Sequence, residues 1–260
     1  MSLERAVFSD GANYERFMGR WSARVASTFL EWLALPPGLR WLDVGCGNGA
    51  FTEQIVTRCA PNSVLGLEPS EGQIAYARSR HGVPNVDFQR GDAETLPFGD
   101  ATFDVAAMAL VIGFVPNQAR AVAEMRRVVR PSGCVGAYMW NLADGGLPAQ
   151  PIVEAMRVLG LPYPARGEAG LDHLSTLWRG ASLQSIETRV IHISIDFLDV
   201  DDFWETNTAP GTPIGEEVSN LSPQDRDRLR KQVQETLPKS TDGTISFGAH
   251  ANAIKGYVPA

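Results

Sequence analysis

Residues Leu42-Asp43-Val44-Gly45-Cys46-Gly47-Asn48-Gly49 carry an apolar strand into a glycine loop, and Ala50-Phe51-Thr52-Glu53-Gln54-Ile55-Val56 then opens a helical pattern. Glycines at alternate positions leave the loop without Cβ atoms and free to take dihedrals that other residues resist, so a ligand can lie against its backbone. The helix behind the loop offers free N–H groups at its start. Glu68 ends the next apolar run, Val64-Leu65-Gly66-Leu67, where a carboxylate can take both hydroxyls of a ribose. These residues predict a nucleoside-binding crevice.

Two templates fit the loop. Gly45-x-Gly47-x-x-Ala50, with Glu68 near the expected spacing, satisfies a dinucleotide fingerprint and so admits a nicotinamide-dependent oxidoreductase. Such an enzyme needs a catalytic Tyr-Lys or Cys/His pair near the strand ends, and Lys231, Lys239 and Lys255 supply none there. Other features favour a second template. Asp43 makes the loop Asp-x-Gly-x-Gly-x-Gly. A later strand, Val86 to Arg90, leads into Gly91-Asp92-Ala93-Glu94-Thr95-Leu96-Pro97-Phe98. Beyond Phe103-Asp104-Val105 and a helix comes Val128-Val129-Arg130-Pro131-Ser132-Gly133. In this order the set resembles the class I S-adenosylmethionine (SAM)-dependent methyltransferases, in particular the small-molecule group that includes the ubiquinone and menaquinone C-methyltransferases. The resemblance covers roughly residues 14–141.

The resemblance implies SAM as cofactor, S-adenosylhomocysteine as product and a small organic methyl acceptor. It implies that Asp92 accepts from the adenine amino group, that the Ala93 N–H meets the ring, and that the backbone of Met108-Ala109-Leu110 contacts the methionine part. Gln73 stands where relatives carry an apolar residue against adenine, and Gly113-Phe114 where they often carry a His or aromatic pair. With Asp43, Gly45, Cys46, Gly47, Glu68 and Pro69 these residues make up the expected cofactor site, Cys46 through its backbone. Asp43 is expected to order the glycine loop through backbone N–H groups. Glu68 has a competing role as cap of the helix that follows, and Asp92 as a turn former. Tyr14 and Arg20 are expected to close over the cofactor as a lid, with Gly19 letting Arg20 turn inward. Arg16, Arg20 and Arg24 otherwise share one helix face. Tyr138, Trp140, Asn141, Phe203 and Trp204 are expected to line an aromatic acceptor pocket above the strand ends. No catalytic residue is identified. A SAM-binding protein without turnover remains the other reading.

Strands are expected near 39–45, 63–68, 85–90, 103–109 and 133–140, and helices near 49–59, 70–81 and 117–130, a βα alternation that builds a parallel sheet covered on both faces. An N-terminal helix, 13–33, carries Tyr14, Phe17, Trp21, Val25, Phe29 and Leu33 along one stripe. Later come helical patterns over 152–159 and 171–181, a long strand over 185–197 and a β segment over 244–258. The resemblance makes these β segments the sixth and seventh strands, antiparallel to each other, of a Rossmann-like, doubly wound, mostly parallel seven-stranded α/β sheet with an antiparallel last strand and helices on both faces. Its domain plan is a single domain, 1–260: a helical cap over 1–36, a SAM-binding core over 37–141, and a C-terminal part, 142–260, with a helical insertion at about 199–240. Ser222-Pro223 reads as an N-cap with proline in the first turn, and Asp225-Arg226-Asp227-Arg228 as a solvated helix face.

The chain has 260 residues, 44% of them hydrophobic and 20% charged, with a net charge of −7. That acidic balance argues against wholesale nucleic-acid binding. The longest apolar stretch, Val105 to Val115, is too short to span a bilayer, and no signal-like segment opens the chain. Cys46, Cys59 and Cys134 lack metal or redox spacing, which suits a reducing cytoplasm. His81, His173, His192 and His250 read as structural, and no metal site is expected.

Overall fold

The computed structural model describes residues 11–80, 85–142, 144–163, 168–209, 212–238 and 243–260, with side chains described from Trp21 onward. Seven strands form one sheet: β1 (Arg40–Val44), β2 (Ser63–Glu68), β3 (Val86–Arg90), β4 (Phe103–Ala109), β5 (Val129–Trp140), β6 (Gln184–Phe197) and β7 (Ile245–Tyr257). Their order is β3-β2-β1-β4-β5-β7-β6. The first five run parallel. β7 is antiparallel to both β5 and β6, so β6 points the same way as β5 and β7 alone is reversed.

The helices α1 (Gly11–Leu33), α2 (Ala50–Cys59) and α3 (Glu71–Arg80) pack with one another, while α4 (Gln118–Val128) meets α6 (Leu171–Gly180) against β5, β6 and β7. The stripe on α1 does what its spacing implies: Trp21, Val25, Phe29 and Leu33 are all buried, each contributing roughly 1.5–3 kcal/mol of apolar burial. Tyr14 and Phe17, in the first turns, lie outside the residues whose side chains are described. β4 reads apolar throughout because both of its faces are covered: Val105, Ala106, Ala107 and Met108 are fully buried.

After β5 come α5 (Gln150–Val158) and α6. The β6–β7 connection holds α7 (Val200–Asn207), α8 (Pro213–Ser219) and α9 (Pro223–Thr236). Ser222 caps α9 by accepting from the Asp225 N–H at 3.1 Å, with Pro223 in the first turn. Arg226, Asp227 and Arg228 are exposed, as a solvated helix face requires.

One boundary differs from the sequence reading. β5 begins at Val129, four residues early, and α4 stops at Val128. Phe103 pairs with Val129 whereas Val105 pairs with Cys134, so the chain bulges over 130–133. Asp104 holds the bulge: it accepts from the Arg40 backbone and side chain and from Arg130 Nε. Gly133 is required there, because a Cβ would sit 2.6 Å from the Asp104 carbonyl oxygen.

Candidate functional site

The glycine loop is pinned to the end of β2. Gly45 N–H and Cys46 N–H both donate to the Leu67 carbonyl, at 2.7 and 3.0 Å. Gly45, Gly47 and Gly49 all have positive φ, 75°, 53° and 83°, a region glycine enters without a Cβ penalty. Gly45 and Gly47 differ in their surroundings. A Cβ on Gly45 would meet the Val111 methyls at 2.6 Å, while one on Gly47 would enter open space. The loop after β4 therefore packs onto the glycine loop through Val111. Leu110, between β4 and that contact, has φ 62° and donates its N–H to the Tyr138 carbonyl at 2.9 Å.

Glu68 faces Gly47. Its Oε2 accepts from the Gly47 N–H at 3.2 Å and its Oε1 from the Ser70 N–H at 3.1 Å. The capping role weighed from sequence is thus occupied by one oxygen, and the other reaches the glycine loop. Burial pushes the Glu68 carboxyl upward, against the pull of these two N–H groups. Gly91 N–H donates to the Glu68 carbonyl at 3.2 Å, which brings the Gly91-Asp92-Ala93 segment beside Glu68. Asp92 is exposed and closes a turn, accepting from the Glu94 N–H at 2.9 Å. Gln73 is buried on α3, Pro69 is exposed at the turn before it, Met108 is buried and Ala109 is half-buried. Gly45, Gly47, Glu68, Pro69, Asp92, Ala93, Met108 and Ala109 consequently gather at the carboxyl ends of β1 to β4, the edge where open α/β sheets bind ligands.

Asp43 is corrected. It does not reach the loop N–H groups but anchors the first turn of α2, accepting from the Thr52 hydroxyl at 2.7 Å and from the Thr52 backbone. Its other oxygen is buried without a hydrogen-bond partner. Burial first, opposed by the Thr52 bonds and reinforced by Glu68, pushes the Asp43 carboxyl up to about 7. Thr52 went unnoticed in the sequence, although a hydroxyl in the first turn after the loop was available as a signal. Cys46 also has a side-chain role: its sulfur packs by Gly66 and Phe88, in a small cluster with Ile74 and Ala77. Burial raises this thiol. Tyr14 and Arg20 lie outside the residues whose side chains are described.

The expected acceptor wall is corrected in part. Tyr138 is core, its ring 4.9 Å from that of Phe29 and 5.9 Å from that of Phe51. Asn141 closes a turn with Asp144, donating to its carboxylate at 3.0 Å and accepting from its N–H. Trp140, Phe203 and Trp204 are buried. Trp140 and Phe203 are joined by Trp21 and Phe197, two aromatics that sequence reasoning left in the scaffold. Among the described residues no group of three His, Cys, Asp or Glu side chains is placed to hold a metal ion, and no helix is long and apolar enough to cross a membrane.

Residues 42–136 match the family model described as a methyltransferase domain. The chain is 40% identical over 96 residues to phthiotriol/phenolphthiotriol dimycocerosates methyltransferase 1 of Mycobacterium ulcerans, a match over 37% of this chain and 35% of that one. The chain thus covers about a third of the length of this curated relative. Among solved structures it is similar to the YcgJ protein of Bacillus subtilis, with TM-score 0.62, 22% identity and coverage of 91% of this chain and 99% of that one. Phosphoethanolamine N-methyltransferase 2 of Haemonchus contortus, solved with SAM, superposes with TM-score 0.62 and 18% identity over 96% of this chain and 57% of that one. The ordered motifs, the loop geometry and the strand order agree with that match, so residues 42–136 are similar to a methyltransferase domain.

Proposed function

We propose that this chain transfers the methyl group of SAM to a small organic acceptor. The observation that carries the reading is the meeting of the Gly47 N–H and the Glu68 carboxylate at 3.2 Å, beside open space over Gly47. A ribose placed there exchanges the Glu68–Gly47 bond for its own hydroxyls, and the missing Cβ admits it to the backbone. The residues present therefore fit SAM. Glu68 holds the ribose, Asp92 and the Ala93 N–H take the adenine edge, Gln73 and Pro69 flank the base, and the backbone of Met108 and Ala109 lies along the methionine part. Tyr14 and Arg20, whose side chains lie outside those described, are proposed as its cover.

Bound SAM supplies an electrophilic methyl group on a sulfonium whose leaving group is a neutral thioether. The chain's own residues have the tasks of placing the acceptor in line behind that methyl and excluding water, which can supply several kcal/mol. No general base is required for an acceptor that is already nucleophilic, which agrees with the lack of a recognisable catalytic dyad. The acidic balance of the chain supports a small molecule over nucleic acid as acceptor, and three free cysteines support the cytoplasm.

Titration calorimetry with SAM, S-adenosylhomocysteine, NAD and NADP tests the cofactor: binding of the first two alone is expected, and binding of a nicotinamide cofactor without SAM overturns the reading. Labelled SAM incubated with cell extract and the protein is expected to yield a labelled small product, identified by mass. SAM binding without any labelled product would return the chain to a sensor or binding role.

A further inference from the structure

Asp43 is the next-to-last residue of β1, fully buried beneath the glycine loop. One of its oxygens accepts from the Thr52 hydroxyl at 2.7 Å, and the other has no hydrogen-bond partner. The groups that act on it come from three elements. β2 supplies the carboxyl of Glu68, the loop supplies the Cys46 thiol, and α2 supplies Thr52, which carries no charge. Its partners on the neighbouring strands are Gly66 and Ala107. Among the described residues no Lys or Arg forms an ion pair with Asp43 or Glu68. A buried carboxyl without a cation favours its neutral form, and Asp43 is accordingly pushed up to about 7.

Strand register fixes where this carboxyl stands relative to the cofactor site. Asp43 pairs with Gly66 of β2 on one side and with Ala107 of β4 on the other. Two residues further along those strands are Glu68 and Ala109, the residues proposed to hold the ribose and the methionine part of SAM. At about 3.3 Å of rise per residue, Asp43 lies roughly 7 Å below their level and on the strand between them. The sulfonium joins the ribose to the methionine part, so its charge belongs at that level. S-adenosylhomocysteine (SAH) carries a neutral thioether at the same place.

Resting on the methyltransferase reading, we propose that Asp43 is the residue that distinguishes SAM from SAH, by giving up a proton when the cationic cofactor binds and regaining one when the neutral product remains. On binding of SAM the O–H bond of the Asp43 carboxyl breaks, the proton passes to water, and the carboxylate left behind offsets the positive charge. Methyl transfer removes that charge, and the buried carboxylate takes a proton back from water. A unit positive charge at roughly 7 Å moves the midpoint of a carboxyl down by roughly one to two pH units at an effective dielectric constant of about 20. The charged form of Asp43 is the one SAM favours, so SAM binding strengthens as pH rises through this range while SAH binding does not follow. Glu68 meets the ribose in both, so its own titration cancels in the ratio of the two affinities.

The test is calorimetry on the full chain with SAM and with SAH between about pH 5.5 and about pH 7, each titration run in two buffers of different ionisation heat. The affinity for SAM relative to SAH is expected to rise roughly four- to tenfold from about pH 5.5 to about pH 7. At about pH 7, SAM should release roughly half a proton per site and SAH almost none. Asp43→Asn should make the affinity ratio independent of pH. Thr52→Val removes the hydroxyl bond that favours the carboxylate and should move the change in ratio to higher pH; thermal melts check that each variant is folded. A ratio flat with pH in the parent, equal proton release with SAM and SAH, or the same pH dependence in Asp43→Asn overturns the proposal. Those results leave both molecules bound and the methyltransferase reading intact, whereas failure of both to bind at any pH defeats that reading and the inference with it.

Discussion

Asp43→Asn should stabilise the ligand-free protein, and more so as the pH rises. Asp43 is fully buried beneath the glycine loop, keeps one oxygen unpaired and stands near Glu68, so that its carboxyl is pushed up to about 7. In the unfolded chain an aspartate titrates at about 3.9. A carboxylate whose folded pKa is raised contributes stability that is complete below the unfolded value and is lost as pH climbs through the folded one. The parent therefore loses roughly 1–2 kcal/mol by about pH 5 and roughly 4 kcal/mol by about pH 8. Asparagine does not titrate and still accepts from the Thr52 hydroxyl. Its buried amide carries a constant cost, but that cost is the same at every pH. The stability gap between variant and parent should therefore widen by roughly 2–3 kcal/mol between about pH 5 and about pH 8, roughly 5–10 °C in Tm for a chain of this size. Scanning fluorimetry of both proteins across that range reads it directly. Parallel melting curves at every pH would refute the reasoning, since Asp43 would then titrate alike in the folded and unfolded chains.

The remaining expectations concern other parts of the same edge and the frame beneath it. Glu68→Ala should weaken SAM binding by roughly tenfold to several hundredfold, the loss of two charged hydrogen bonds to a ribose; unchanged affinity by calorimetry would return Glu68 to its cap on Ser70. Gly45→Ala and Gly47→Ala should part ways in degree: both bear the strain of a positive φ, but only the first also meets Val111 at 2.6 Å and should lose more stability, while the second should fold with a smaller loss and weakened SAM affinity. Similar melting temperatures for the two would count against the packing described. At Asp104, burial raises the carboxyl, but the Arg40 side chain and N–H together with Arg130 outweigh it and hold the group well below the usual carboxylate range. That stability is present above about pH 3.9 and is lost as pH falls through the depressed value, so Asp104→Asn should cost about 1–3 kcal/mol at neutral pH and progressively less in acid. A pH-independent difference in denaturant midpoint would contradict it.

Local pattern was enough for most of the architecture. The period of the apolar residues placed α1, the strands and the crossover helices, because burial of one stripe or of both sheet faces leaves a direct mark on the order of residues. Gly45, Gly47 and Glu68 were legible for a related reason: a loop that needs positive φ and an acid at the end of the next strand are both local requirements. What the order of residues could not show was where side chains from distant segments meet. Asp43 looked like a partner for the glycine loop, yet the fold turns it to Thr52. Tyr138 looked like a pocket aromatic, yet α1 and α2 enclose it. The early start of β5 depends on Asp104 gathering Arg40 and Arg130 from other strands, and Gly45 must be glycine partly because Val111 arrives from beyond β4. Trp21 and Phe197 are 176 positions apart in sequence, yet their ring centroids lie 6.1 Å apart. The sequence determined the sheet, the crossovers and the nucleoside loop, since period and dihedral preference act between neighbours. Only the tertiary structure decided which buried polar atoms find partners, since that depends on what the folded chain brings within 3 Å or so of each one.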